Sequence, residues 1–157
     1  MQKLKIKQVR VVELAQVMDA ISPKDLATAK DIRLNVNLVN DLEGVTKELS
    51  TAVSDLNIKK TKLIKPFQVR FKTKTENASE EEKEKLAKQI DKDFAEKHGK
   101  DFEEDQKKID KLGEKEVEFE LGNDKMEKMK EWFEKFAQDK YRDKKVLVEM
   151  LDVLGIE

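Results

Sequence analysis

The chain has 157 residues and no cysteine, which excludes disulfides, thiolate metal sites and a cysteine nucleophile. Charged residues make up 43% and aromatics 6%, a usage that suits long solvated helices better than a deep-pocketed enzyme. The net charge of −1 is unevenly placed: residues 1–74 hold 15 Lys/Arg against 8 Asp/Glu, and the rest hold 18 against 26. The two halves could attract each other, or present a basic face to one partner and an acidic face to another.

The length is usual for one domain and enough to bury a core without staples. No apolar run approaches the roughly 20 residues of a membrane helix. The start, Met1 to Val12, is basic and alternating and lacks the apolar stretch of a signal peptide. The expectation is a cytoplasmic protein that does not enter a membrane.

Residues 3–7 alternate, with Leu4 and Ile6 on one side and lysines on the other, as a short half-buried strand does. From Val9 to Ile21 the spacing is helical, and Val11, Leu14, Val17, Met18 and Ile21 share a face. Ser22-Pro23-Lys24-Asp25 reads as a helix start. Nothing strong breaks the next segment before Pro66, so a helix over 24–64 is predicted, roughly 60 Å long at about 1.5 Å per residue. Leu38, Leu42, Val45, Leu49, Ala52 and Leu56 follow heptad spacing along it. Pro66 is expected to end this helix. Phe67, Val69, Phe71 and Thr73 then alternate with polar residues, which predicts a strand over 67–73.

After a polar turn, Ser79 and Glu82 form a capping-box signature that opens a very polar helix to about Leu112, with Gly99 and Gly113 as its candidate interruption and end. Val117, Phe119 and Leu121 alternate with glutamates as a third strand. Two helices close the chain. The first carries Met126, Met129, Phe133 and Phe136 on one face with Trp132 alongside, and the second spans about 143–154. The basic strand 67–73 and the acidic strand 116–121 are expected to pair as an antiparallel ribbon. The fold class is therefore mostly α with a minor β component: a long-helix bundle with a small antiparallel strand ribbon. It is read as a single domain, 1–157. Within it, 1–65 form the N-terminal strand and long helical hairpin, 66–121 a strand-helix-strand protrusion, and 122–157 the C-terminal helices.

Catalytic spacing is sparse. There is no glycine-rich phosphate loop, HExxH or GxSxG. His98, the single histidine, is read as a surface residue. Asp91 and Asp93 point to different faces of a helix, and Glu103, Glu104 and Asp105 form a solvated run. No catalytic residue, metal or cofactor is expected, and the chain is read as not an enzyme.

Lys59, Lys60, Lys62, Lys65, Arg70, Lys72 and Lys74 occur without an intervening acid, with Phe67 and Phe71 among them. One reading is phosphate contact plus base stacking on single-stranded nucleic acid. The preferred reading is an edge strand guarded by lysines, with both rings buried. The heptad seam Leu38, Leu42, Val45, Leu49 and Leu56 likewise has two readings. It folds back on its own core, which is preferred, or it zips to another chain as a coiled coil. Of Trp132 and Phe133, at most one is central to its helix face; the other is a candidate partner anchor, though the preferred reading is that both line a broad core face. The candidate partner-binding residues are thus Lys65, Arg70, Lys72, Lys74 and Trp132.

The start Lys3-Leu4-Lys5-Ile6-Lys7, the stretch Lys60-Thr61-Lys62-Leu63-Ile64, the strand Val117-Glu118-Phe119-Glu120-Leu121 and the tail Val146-Leu147-Val148-Glu149-Met150-Leu151 give a layout across most of the chain. That layout resembles a family of small uncharacterised proteins from tailed phages of Gram-positive bacteria. The phenylalanine-rich segment after Pro66 departs from the pattern. The resemblance implies a phage origin and brings no catalytic residues. The expected function is a non-enzymatic phage protein acting by protein–protein contact. It would be virion-associated, an assembly factor or a host-directed factor, in the host cytoplasm or the virion. Its partner would be a phage structural or host protein, with homo-oligomerisation open. The alternative is nucleic-acid binding through segment 59–74.

Overall fold

A computed structural model describes all residues, 1–157. The elements are β1 (Gln2–Lys7), α1 (Gln8–Asp19), a 3-10 turn (Pro23–Asp25), α2 (Ala29–Val45), α3 (Lys47–Thr75), α4 (Glu80–Glu114), β2 (Glu116–Leu121), α5 (Asn123–Lys140) and α6 (Lys144–Leu154). The fold is mostly α with one two-stranded antiparallel sheet, as the patterning predicts. The chain divides into two compact units, Met1–Leu49 with Leu112–Glu157, and Ser50–Lys111.

In the first unit the sheet joins β1 to β2, not 67–73 to 116–121. The segment 67–73, though also basic, is helical and so unavailable, and the charges of β1 suit β2 as well. Lys3, Lys5 and Lys7 of β1 stand opposite Glu120, Glu118 and Glu116 in the antiparallel register. Ion pairs link Lys3 to Glu120 (3.7 Å), Lys5 to Glu116 (3.2 Å) and Lys7 to Glu114 (2.9 Å). Each is exposed and weak alone, and together they favour this register over one that sets like charges opposite. On the other face Leu4, Ile6 and Leu121 are buried in the core.

The helices complete that core. α1 buries Val11, Leu14, Ala15, Val17 and Met18, and α5 buries Met126, Met129, Trp132, Phe133 and Ala137. Asn35 is buried, and its Nδ2 donates to the Met18 carbonyl (3.1 Å), which also accepts from the Ile21 amide (3.3 Å), so this side chain ties α2 to the last turn of α1. Gly113 does not close α4, which runs on to Glu114. A Cβ there would lie 3.3 Å from the Val9 Cβ, so the missing side chain lets Val9 approach.

The long helix predicted over 24–64 is divided. The Ser22-Pro23 start makes only the 3-10 turn, because Leu26 is extended. The true cap is Thr28, whose Oγ1 accepts from the Asp31 amide (3.1 Å). A second break falls at buried Thr46, whose hydroxyl donates to the Leu42 and Glu43 carbonyls (3.2 and 3.3 Å). Such bonding satisfies the end of α2 locally, where Thr competes with the helix ladder.

In the second unit α3 does not stop at Pro66. It continues to Thr75, and 67–73 is helix, not strand. Two facts make this possible. Pro66 removes the amide that would bond the Lys62 carbonyl, but residues 64–66 and 62 are exposed, so water can take that acceptor. A helix also places Phe67 and Phe71 four apart on one face and turns Val69 outward. Both rings are half-buried, while Val69 is 64% exposed. The turn 76–79 ends in the predicted capping box: the Glu82 amide donates to Ser79 Oγ (3.3 Å) and the Ser79 amide to Glu82 Oε2 (3.2 Å). α4 then passes through Gly99 uninterrupted.

Candidate functional site

The unit Ser50–Lys111 is a helical hairpin, and its seam is aromatic. The Phe67 ring meets Phe94 edge-on (centroids 5.2 Å apart), Phe94 stacks on Phe102 (5.6 Å), and His98 lies against Phe94 (5.3 Å). His98 is thus half-buried in the seam rather than a free surface histidine. Lys59 Nζ and Lys60 Nζ sit 5.7 and 5.6 Å from the Phe102 centroid, within cation–π range.

Two ion pairs hold the helices antiparallel. Lys59 meets Asp105 (2.8 Å) and Arg70 meets Asp93 (2.8 Å), so rising numbers on α3 match falling numbers on α4. The hydrogen bond from Lys59 holds the Asp105 carboxyl below the usual carboxylate range, and the bond from Arg70, then that from Gln89, does the same for Asp93. The Lys59 ammonium is raised in return by its bond to Asp105. The Asp91–Asp93 pair is therefore divided, since Asp93 serves Arg70 and Asp91 lines a hollow of about 280 Å³ with Ile64, Phe67, Phe71, Ile90 and Phe94.

The predicted contact residues have different fates. Arg70 is occupied by Asp93 and half-buried. Trp132 is 4% exposed and lies in the core beside Phe133, so it offers no anchor to a partner. Lys65, Lys72 and Lys74 are exposed and make no ion pair, and the same is true of Lys60 and Lys62. The seam residues also part company. Leu38 and Leu42 are in the core of the first unit, Leu49 is buried and Val45 half-buried there, and Leu56 is buried in the hairpin. The break at Thr46 divides the stripe, so it is not one continuous zipper.

A second row, which the sequence reading missed, runs along the outer side of α3. Thr51, Asp55, Ile58, Lys62, Lys65, Val69 and Lys72 follow steps of four and three, and every one is exposed. Ile58 is 52% exposed. A shallow groove of about 550 Å³ follows α3 from Ser50 to Lys65 on this side. The row was legible as a heptad step pattern, but the strand reading of 67–73 cut it in two.

In the first unit Arg10 bonds Glu13 (2.9 Å) and Glu149 (3.0 Å). Nearby Tyr141 keeps a buried hydroxyl without a partner. Burial, then the Glu13 carboxylate, push its pKa up to about 12, with Arg10 opposing. No three His, Cys, Asp or Glu side chains are gathered to hold a metal ion, and no helix is long and apolar enough to cross a membrane. No protein-family model, curated protein or solved structure matches the chain.

Proposed function

We propose that the chain is a non-enzymatic protein of tailed-phage origin that works by protein–protein contact, and that the outer face of α3 is the contact surface. The observation that carries this reading is Val69, 64% exposed and set between Lys65 and Lys72, which have no acid to pair with. A lone exposed valine is ordinary. A valine framed by unpaired cations on a helix with no acid after Asp55 fits a partner surface that is acidic around an apolar patch. The resemblance in layout to small tailed-phage proteins supports the phage setting, with a phage structural or host protein as partner.

Nucleic acid is the lesser reading. Five unpaired lysines between positions 60 and 74 favour it, but both phenylalanines that would stack on bases are turned into the hairpin, and Lys59 and Arg70 are held by Asp105 and Asp93. The deciding experiment is affinity capture of tagged protein from phage-infected cells, read by mass spectrometry. The comparison is with a variant carrying Val69→Asp, Lys72→Glu and Lys74→Glu. A protein enriched by the wild type and lost with the variant supports the reading. Equal capture by both, or none, refutes it.

A further inference from the structure

The geometry points to a second copy of this chain as the occupant of the N-terminal half of the outer α3 face, packed antiparallel about Ile58. This goes beyond the contact surface above, whose Val69, Lys72 and Lys74 lie on the other half of the helix.

The argument rests on how charge is sorted along α3. Between Lys47 and Lys59 there is no base, and after Asp55 there is no acid. Asp55 lies three residues before Ile58 and Lys62 four after, on the same exposed row. Neither makes an ion pair within the chain. A twofold axis beside Ile58, with the two helices antiparallel, sets each Asp55 against the other copy's Lys62, twice over, and Ile58 against Ile58. A parallel arrangement sets Asp55 on Asp55 and Lys62 on Lys62, which repels. Ser54 and Thr61 flank Ile58 along the groove and are short enough to let a second helix approach. The contact is isologous, so it closes at two copies and does not propagate.

The stretch Ser50–Lys65 is roughly 24 Å of helix at about 1.5 Å per residue. One such helix on another buries less than the roughly 800 Å² per partner of a standard interface. The dimer is therefore weak and visible only at high concentration. With a net charge of −1, overall repulsion between copies is small.

The test is sedimentation equilibrium of the purified full chain from roughly 1 μM to roughly 1 mM, the range in which small interfaces dissociate. The expected result is a weight-average mass that climbs towards twice that of the chain. Ile58→Asp keeps it at one copy. Asp55→Lys and Lys62→Asp each weaken the dimer by about tenfold. The exchange Asp55→Lys with Lys62→Asp restores it to within about threefold of wild type, because the cross-pairs are rebuilt. All three sites are solvent-facing, and far-UV circular dichroism checks that each variant keeps its helices. A monomer at every concentration, a dimer that survives Ile58→Asp, or an exchange variant no better than the single changes each overturns the proposal. A dimer without any captured partner overturns only the contact reading of the previous section, and capture without a dimer overturns only this one.

Discussion

Replacing Phe94 with alanine removes the ring at the centre of the hairpin seam. Phe94 touches Phe67 edge-on at 5.2 Å, stacks on Phe102 at 5.6 Å and meets His98 at 5.3 Å. A fully buried Phe→Ala change costs about 3–5 kcal/mol, and Phe94 is half-buried, so roughly half of that applies. Each phenyl pair contributes a further ~0.5–1.5 kcal/mol beyond burial, less than additively because both share the same ring. The expected loss is about 3 kcal/mol. It falls on the hairpin, since all three ring neighbours lie between residues 67 and 102. Urea unfolding followed by far-UV circular dichroism reads the size of the loss, and hydrogen exchange on peptides from 50–111 reads where it falls. A loss under about 1 kcal/mol, with unchanged exchange in those peptides, refutes the seam as the bond between α3 and α4.

Three further outcomes follow from single sites. At exposed Val69, the helix predicts that Val69→Ala raises stability by about 0.5 kcal/mol and that Val69→Gly falls about 1 kcal/mol below Ala, whereas a strand predicts a loss on Val→Ala; chemical denaturation reads the sign. Tyr141 is the only tyrosine, so ultraviolet absorbance titrates it alone. Its midpoint is expected at about 12 in the folded chain against an ordinary 10.0. The folded state then holds a proton that the unfolded state releases, so stability drops as pH rises through that window, and Tyr141→Phe removes this part of the slope. For Asp93 the shift is downward, so its contribution is present above the unfolded value of 3.8 and is lost as pH falls below it. Asp93→Asn is expected to flatten the acid limb of the hairpin's stability profile, measured by circular dichroism.

Much of the fold is legible in the residues. The alternation at 3–7 and 116–121, the capping box at Ser79 and Glu82, and the helical face of α1 all predict what forms, because each signal is local. The segment 67–73 misleads for a physical reason. Phe-Gln-Val-Arg-Phe alternates with a period of two, yet the same spacing leaves Phe67 and Phe71 four apart, which suits a helix equally. The choice is made by partners distant in sequence: Phe94 and Asp93 await a helix face, while the glutamates of β2 are already matched by the lysines of β1. Trp132 and Phe133 are adjacent, and the preferred reading, that both line a broad core face, is what forms. Both are inside because α5 is covered on several sides, by α1, α2 and α6. The outer row of α3 is present in the sequence as a step pattern of four and three, and it is continuous because Pro66 lies within the helix.

The most direct measurement is site-specific photo-crosslinking in phage-infected cells, with benzoylphenylalanine placed at Val69 on α3 or at exposed Glu127 on α5. The account predicts a discrete protein adduct from position 69 that withstands nuclease and is absent from position 127. Adducts from position 127 alone, or a position-69 adduct that nuclease removes, would contradict it.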